Sequence, residues 1–203
     1  MNATIRLLTE SDLTTTRRIF SLAFGTFLGA PEPEKFGSDL DYAGTRWRAD
    51  PTSAFAAEID GELVGSNFAT RWGSVGFFGP ITIRPDLWDQ GIGKQLMAPV
   101  MECFDRWKVT HAGLFTFAQS PKHIGLYQRY GFWPRFLTAI MSKPVHPPTS
   151  QSPWSTYSAV PESEREASLR ACRALTEALY AGLDVGREIV ATCTQGLGDT
   201  VLL

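Results

Sequence analysis

Ile81-Thr82-Ile83-Arg84-Pro85-Asp86-Leu87-Trp88-Asp89-Gln90-Gly91-Ile92-Gly93-Lys94-Gln95-Leu96-Met97 joins a strand to a helix through two glycines. Ile81 and Ile83 alternate with polar residues, as at the end of a strand, and Arg84-Pro85-Asp86 stops it. Ile92, Leu96, Val100, Phe104 and Trp107 then recur at three- and four-residue spacing, one apolar helix face. Pro99 predicts a kink there, because it removes one backbone bond. Glycines at a helix N-terminus let backbone N–H groups meet an anion at close range. An ordinary tight turn uses the same residues. A Walker A loop is excluded, since its first Gly and its Ser or Thr fall on Trp88 and Gln95. A Rossmann fingerprint is excluded too, since its third Gly falls on Leu96.

Upstream, Phe55, Ala57 and Ile59 alternate with Ala56 and Glu58 up to Asp60-Gly61, a dipeptide suited to a type I′ hairpin. The return strand runs from Glu62 to about Trp72, Gly73 turns the chain, and a third strand covers Gly76 to Arg84. Pro80 inside that strand predicts a bulge or an unpaired position. Earlier still, Thr4 to Leu8 reads as a short strand and Thr9 with Asp12 as a capping box opening a helix to about Ala23. Two Gly and two Pro between Gly25 and Pro33 predict a loop, and a second helix falls within Glu34 to Ala49. Downstream, Ala112 to Ala118 reads as a strand, Pro121 to Tyr130 as a short helix and Phe136 to Ser142 as another strand. The sum is an α/β (α+β) fold: a mixed, mostly antiparallel twisted sheet with one parallel crossover and flanking helices.

Residues 1–145 form the expected first domain, a Pro/Ser-rich linker covers 146–160, and 161–203 form a helical tail. The tail helix is expected from about Ser163 to Ala181, with Leu169, Cys172, Thr176 and Leu179 on one face. Thr200 to Leu203 is an apolar, strand-like end, and an unpaired edge of that kind invites association. It is expected to pair with the main sheet, to dock on another copy as a homo-oligomer, or to begin a second unit of the same kind.

Composition narrows the function classes. The 203 residues are 43% apolar and 20% charged with net charge −2, so no basic footprint points to nucleic acid or an anionic membrane. No apolar run approaches the ~18 residues of a spanning helix. Met1 to Glu10 lacks the features of a signal peptide, which makes the cytoplasm the expected location. Cys103, Cys172 and Cys193 are scattered, and with His111, His123 and His146 they form neither C-x-x-C nor H-E-x-x-H. Neither a disulfide framework nor a metal site is expected.

Ile81 to Met97 resembles motif A of the GNAT N-acetyltransferase superfamily, in which a strand ending apolar-x-apolar-x-Pro runs into [Q/R]-x-x-G-x-[G/A] and a long helix. Gly125-Leu126-Tyr127-Gln128-Arg129-Tyr130-Gly131-Phe132 resembles its motif B, L-Y-x-x-x-G-F, and Thr4 to Leu13 resembles its first strand and helix entry. The matched segments cover about residues 4–142 in the expected order. Two positions depart: Trp88 stands where the family has Gln or Arg, and Ser120 where Asn often precedes the motif B Tyr.

The resemblance implies an acyl-CoA N-acyltransferase-like fold with a central pair of splayed parallel strands. It also implies acetyl-CoA as co-substrate, with pyrophosphate on the loop of Trp88, Asp89, Gln90, Gly91, Ile92, Gly93 and Lys94. Backbone at Ile81 and Ile83 would pair with pantetheine, Ser120 would lie beside it, and a backbone N–H near Ile81 would meet the oxyanion. Tyr127 is then the candidate general acid for the departing thiolate, against a plain packing role beside Leu126 and Tyr130. Glu58, Glu62 and His123 are the available bases, and none stands out. Phe24, Phe27, Trp72, Phe77, Phe78 and Trp133 crowd the acceptor side, which favours an amine with an apolar part. The expected activity is acetyl transfer to an amine of a small molecule or peptide, by direct attack in a ternary complex. The alternative is a non-catalytic acyl-CoA-binding or regulatory module.

Overall fold

The structure, a computed structural model, describes residues 2–139, 141, 143–144 and 154–202. The chain enters as β1 (Thr4–Leu7), passes a 3-10 turn at Glu10–Asp12 and continues as α1 (Leu13–Leu28). Asp12 anchors this entry. Its carboxylate accepts from the Thr9 backbone N–H at 2.8 Å and from both Nη atoms of Arg6 at 2.7 and 3.0 Å, while Arg6 Nε donates to Glu58 at 2.8 Å. Hydrogen bonding by Arg6 holds the Asp12 carboxyl down at about 2. A depressed carboxyl contributes stability that is fully present above its unfolded value near 3.8 and is lost as pH falls towards 2. Asp12→Asn is therefore expected to lower the melting temperature at pH 6 and to flatten its dependence between pH 4 and 2. Parallel curves for the two proteins would sink this account.

The first helix runs five residues beyond the expected end at Ala23. Gly25 does not break it, because its missing side chain lets the Pro33–Lys35 turn lie against the helix; a Cβ there would fall on the Pro33 backbone. Gly29 ends the helix instead, in the left-handed conformation (φ 69°). Then come α2 (Tyr42–Ala49), β2 (Ala54–Ile59) and β3 (Glu62–Trp72). Asp60 and Gly61 both take positive φ (52° and 81°), as a type I′ turn requires. Gly73 turns the chain into β4 (Val75–Phe78), antiparallel to β3.

The expected third strand is two pieces. Gly79 N–H donates to Phe68 O at 2.9 Å, yet Thr82 faces Ser66, so one extra residue is accommodated around Pro80. Pairing on β3 resumes as β5 (Thr82–Ile83). After α3 (Ile92–Trp107), which contains Pro99, β6 (His111–Gly113) lies parallel to β4. The main sheet has the order β1-β2-β3-β4-β6, with β5 on β3.

Two strand expectations need correction. The strand after α3 covers only His111–Gly113, not Ala112 to Ala118, because its ladder lasts only while β4 runs alongside. No strand forms over residues 136–139 and 141. Phe136 and Leu137 are 88% and 89% exposed and find no ladder partner among the described residues. Positions 140 and 142 lie outside the described residues.

Strand alternation builds a core on each face. Phe55, Ala57, Val64 and Phe78 pack with Leu96, Met97, Val100 and Phe104 of α3 and with Tyr127 of α4 (Pro121–Gln128). Ala54, Ala56 and Phe68 pack on the opposite face with Leu8, Ala43 and Trp47.

The linker assigned to 146–160 lies outside the described residues as far as 153. Beyond it stand β7 (Ser155–Thr156), α5 (Glu162–Glu177), α6 (Gly186–Thr194) and β8 (Val201–Leu202). The terminal strand pairs antiparallel with β7 rather than with the main sheet, and Leu203 lies outside the described residues. Only Leu169, Cys172 and Thr176 of the expected helix face are half-buried, while Leu179 is 74% exposed. The tail sits on the β3–β4 turn. Ser74 N–H donates to Gly182 O at 2.8 Å, and Glu188 accepts from Trp72 Nε1 at 2.9 Å and from Arg46 at 2.5 Å.

Candidate active site

The parallel pair parts within three residues. β4 and β6 are registered from Val75 opposite His111 to Phe77 opposite Gly113. Past Phe78 the first chain stays on β3 and continues as β5, while 114–117 continues without a strand partner among the described residues. A wedge opens between them. Its β5 side follows from ladder alternation. Arg84 N–H donates to Val64 O at 2.8 Å, so Arg84 and Thr82 face β3, and the backbone groups of Ile83 face the wedge, with Ile81 just ahead of β5.

The Trp88 side chain reaches back from the glycine loop to this edge. Its indole Nε1 donates to Ile83 O at 2.8 Å, so its one side-chain donor is committed to β5. Trp88 thus takes one acceptor position of the Ile83 carbonyl, and the Ile83 N–H stays directed at the wedge.

Below the wedge, Gly91 caps the start of α3 and adopts φ 82°. A Cβ at Gly91 would meet nothing within 4 Å, so this side of the loop is open. Ile92, Gly93 and Lys94 are in the first helical turn, where N–H groups have no acceptor within the helix. Gly93 also serves packing, since a Cβ there would lie 3.3 Å from the Ile83 side chain and 3.6 Å from Leu126. Lys94 is exposed, and its carbonyl accepts from Tyr130 Oη at 2.8 Å, which ties the end of α4 to the start of α3. Asp89, next to Gln90 in the loop, is neutralised by Lys122 Nζ at 2.6 Å. No motif marks Lys122, and only the fold brings α4 against the loop.

Tyr127 is 6% exposed and meets the Phe78 ring edge-on at 5.6 Å. Burial pushes its phenol up to about 12, opposed by a hydrogen bond with the Thr116 side chain. Its hydroxyl thus faces the segment that leaves β6. Ser120 caps α4 by accepting from His123 N–H at 3.4 Å. Among the candidate bases, Glu58 is tied to Arg6 at 2.8 Å and Glu62 to Arg84 at 3.1 Å, both away from the wedge. His123 is one turn before Tyr127, half-buried, and burial followed by the charge of Lys122 pushes it below the usual imidazole value.

The arrangement has an anion-ready helix start, a strand edge with outward N–H groups and a buried phenol, all around one wedge. A family model described as the acetyltransferase (GNAT) family matches residues 16–132. Among solved structures, a putative acetyltransferase from Pyrococcus horikoshii is similar at a TM-score of 0.70 and 17% identity, over 98% of this chain. This chain spans 64% of that protein's length. A PaiA N-acetyltransferase from Thermoplasma acidophilum, solved with coenzyme A, is similar at 0.52 and 18% identity, over 64% of this chain and 89% of that one. A transcriptional regulator from Bacillus halodurans is similar at 0.51 and 20% identity, over 70% of this chain and all of that one. No curated protein matches the sequence. At such identities the structures testify to the fold, and the family model, spanning both the glycine loop and Tyr127, testifies to descent: the chain belongs to the GNAT acetyltransferase family.

Proposed function

We propose that the protein transfers an acetyl group from acetyl-CoA to an amine of a small molecule or peptide, by direct attack in a ternary complex. The observation that carries this reading is the open wedge, with the first turn of α3 at one end and the Tyr127 hydroxyl beside the other. Bound acetyl-CoA supplies the acyl thioester. Ile92, Gly93 and Lys94 N–H groups fit its pyrophosphate, and Lys122 offsets the charge of Asp89 nearby. Ile81 and Ile83 N–H groups fit pantetheine as an added strand would, and an Ile81 N–H is suited to stabilise the oxyanion. Tyr127 then donates its hydroxyl proton to the departing thiolate.

The test is calorimetry with acetyl-CoA, followed by thiol release across a panel of amines. Gly93→Val places a branched side chain between the loop, Ile83 and Leu126, and is expected to weaken acetyl-CoA binding at least ~10-fold. Unchanged affinity in a folded variant would remove the loop from the site. The committed Trp88 indole favours the second reading, a non-catalytic acyl-CoA-binding module, by leaving the loop without a side-chain donor at that position. Binding without amine-dependent thiol release would decide for the module.

A further inference from the structure

Position 88 offers the glycine loop no cation, since it holds a tryptophan whose indole is committed to Ile83 O. A cation reaches the loop from another element. Lys122, in the first turn of α4, holds Asp89 with Nζ 2.6 Å from Oδ1 and 2.7 Å from Oδ2. Asp89 takes a left-handed conformation (φ 66°) and stands two residues before Gly91, the N-cap of α3.

This pairing belongs to a longer contact. Lys122, Leu126 and Tyr130 recur every four residues, so they share one side of α4 and its continuation. Leu126 lies 3.6 Å from where a Gly93 Cβ would stand, and Tyr130 Oη donates to Lys94 O at 2.8 Å. The stripe therefore follows the start of α3 from Lys94 and Gly93 back to Asp89. It sets the ammonium at the end towards which the first-turn N–H groups of Ile92, Gly93 and Lys94 point. The Lys122 and Asp89 side chains are 64% and 65% exposed, so water screens the pair and it adds little to the stability of the fold. Such a pair exchanges partners readily.

We propose that Lys122 is a phosphate ligand of this site: its ammonium turns from Asp89 to the pyrophosphate of acetyl-CoA and supplies, from α4, the cation that position 88 lacks. The proposal rests on the acetyltransfer reading above and adds a binding residue to it. A pyrophosphate linkage brings two negative charges against the one on Asp89, and the α3 N–H groups hold it in place, so it outcompetes the carboxylate. A lysine suits the exchange, because a point charge on a flexible stem changes partner without moving the backbone. In the free protein, Asp89 keeps the ammonium beside the loop; in the complex, its exposed carboxylate passes to water.

Calorimetry with acetyl-CoA and with acetyl-dephospho-CoA, which lacks only the ribose 3′-phosphate, tests this. Lys122→Met is expected to weaken both ligands ~10-fold at an unchanged melting temperature, and Lys122→Arg to recover most of that loss. Asp89→Asn should tighten acetyl-CoA by ~3-fold, because a competitor and a like charge are removed together. Within Asp89→Asn, Lys122→Met should still cost at least ~5-fold, whereas a lysine that only neutralised Asp89 would then cost almost nothing. Unchanged affinity in Lys122→Met, a loss confined to the ligand bearing the 3′-phosphate, or a loss that vanishes in Asp89→Asn would overturn the proposal while leaving acetyltransfer intact. A wild type that binds neither ligand overturns both.

Discussion

Tyr127→Phe is expected to lower kcat by ~10²-fold while leaving acetyl-CoA affinity within about twofold. The ring stays, so its edge-on contact with Phe78 and its place in the core on the α3 face persist. Only the hydroxyl beside Thr116 is lost. Burial sets the size of the effect. A phenol held at about 12 is protonated at every working pH, which suits a donor, yet it is far from the near-neutral value of an ideal acid. The loss therefore belongs at the low end of the ~10²–10⁴ range for general acid help. No alkaline limb from Tyr127 should appear below about pH 11. Steady-state kinetics of thiol release from pH 6 to 10, with calorimetry on the same samples, gives both numbers. A variant with normal kcat would return Tyr127 to packing alone.

Local chemistry that depends on few residues was legible in the sequence. Asp60-Gly61 specifies a turn with two positive φ values, and the strands on either side follow from alternation. Pro80 cannot donate to a ladder, and the ladder is broken there. Gly91 and Gly93, at the N-cap and in the first turn of α3, mark its start. What stayed hidden depends on partners remote in sequence. Gly25 looks like a helix breaker, and only the Pro33 turn lying against it explains a glycine inside a helix. α6 was missed because Ile189, Val190, Thr192 and Thr194 are β-branched and weaken the helical signal, while packing of Ile189 overrides it. The role of Trp88 was likewise out of reach. Its position promises a phosphate contact, and its indole reaches back five residues to Ile83 O. Lys122 needed α4 brought against the glycine loop before its pairing with Asp89 could be seen.

Glu188→Ala should be the most damaging single change in the tail. The carboxylate accepts from Arg46 at 2.5 Å and from the Trp72 indole at 2.9 Å, and the Arg46 and Glu188 side chains are each 29% exposed. Alanine removes both bonds and leaves a half-buried guanidinium and an indole N–H without an acceptor. Bonds to charged groups contribute about 1.5–3 kcal/mol each, and partial exposure reduces this, so the expected loss is about 2–3 kcal/mol. For a chain of this size that is a fall in melting temperature of roughly 4–12 °C. Glu188→Gln keeps an acceptor for Trp72 and should cost about half as much. Gly73→Val attacks the same seat through the backbone. Gly73 holds φ 62°, and a Cβ there would fall on the Gly182 carbonyl and press on Asp184. It should lift 182–184 away from the β3–β4 turn, seen as faster amide exchange in α6 with β2 and β3 still protected. If Glu188→Ala melts with the wild type and Gly73→Val leaves α6 protected, the tail's contacts with this turn contribute nothing, and its seat is on α2 and Asp50 through Arg187 and Gln195.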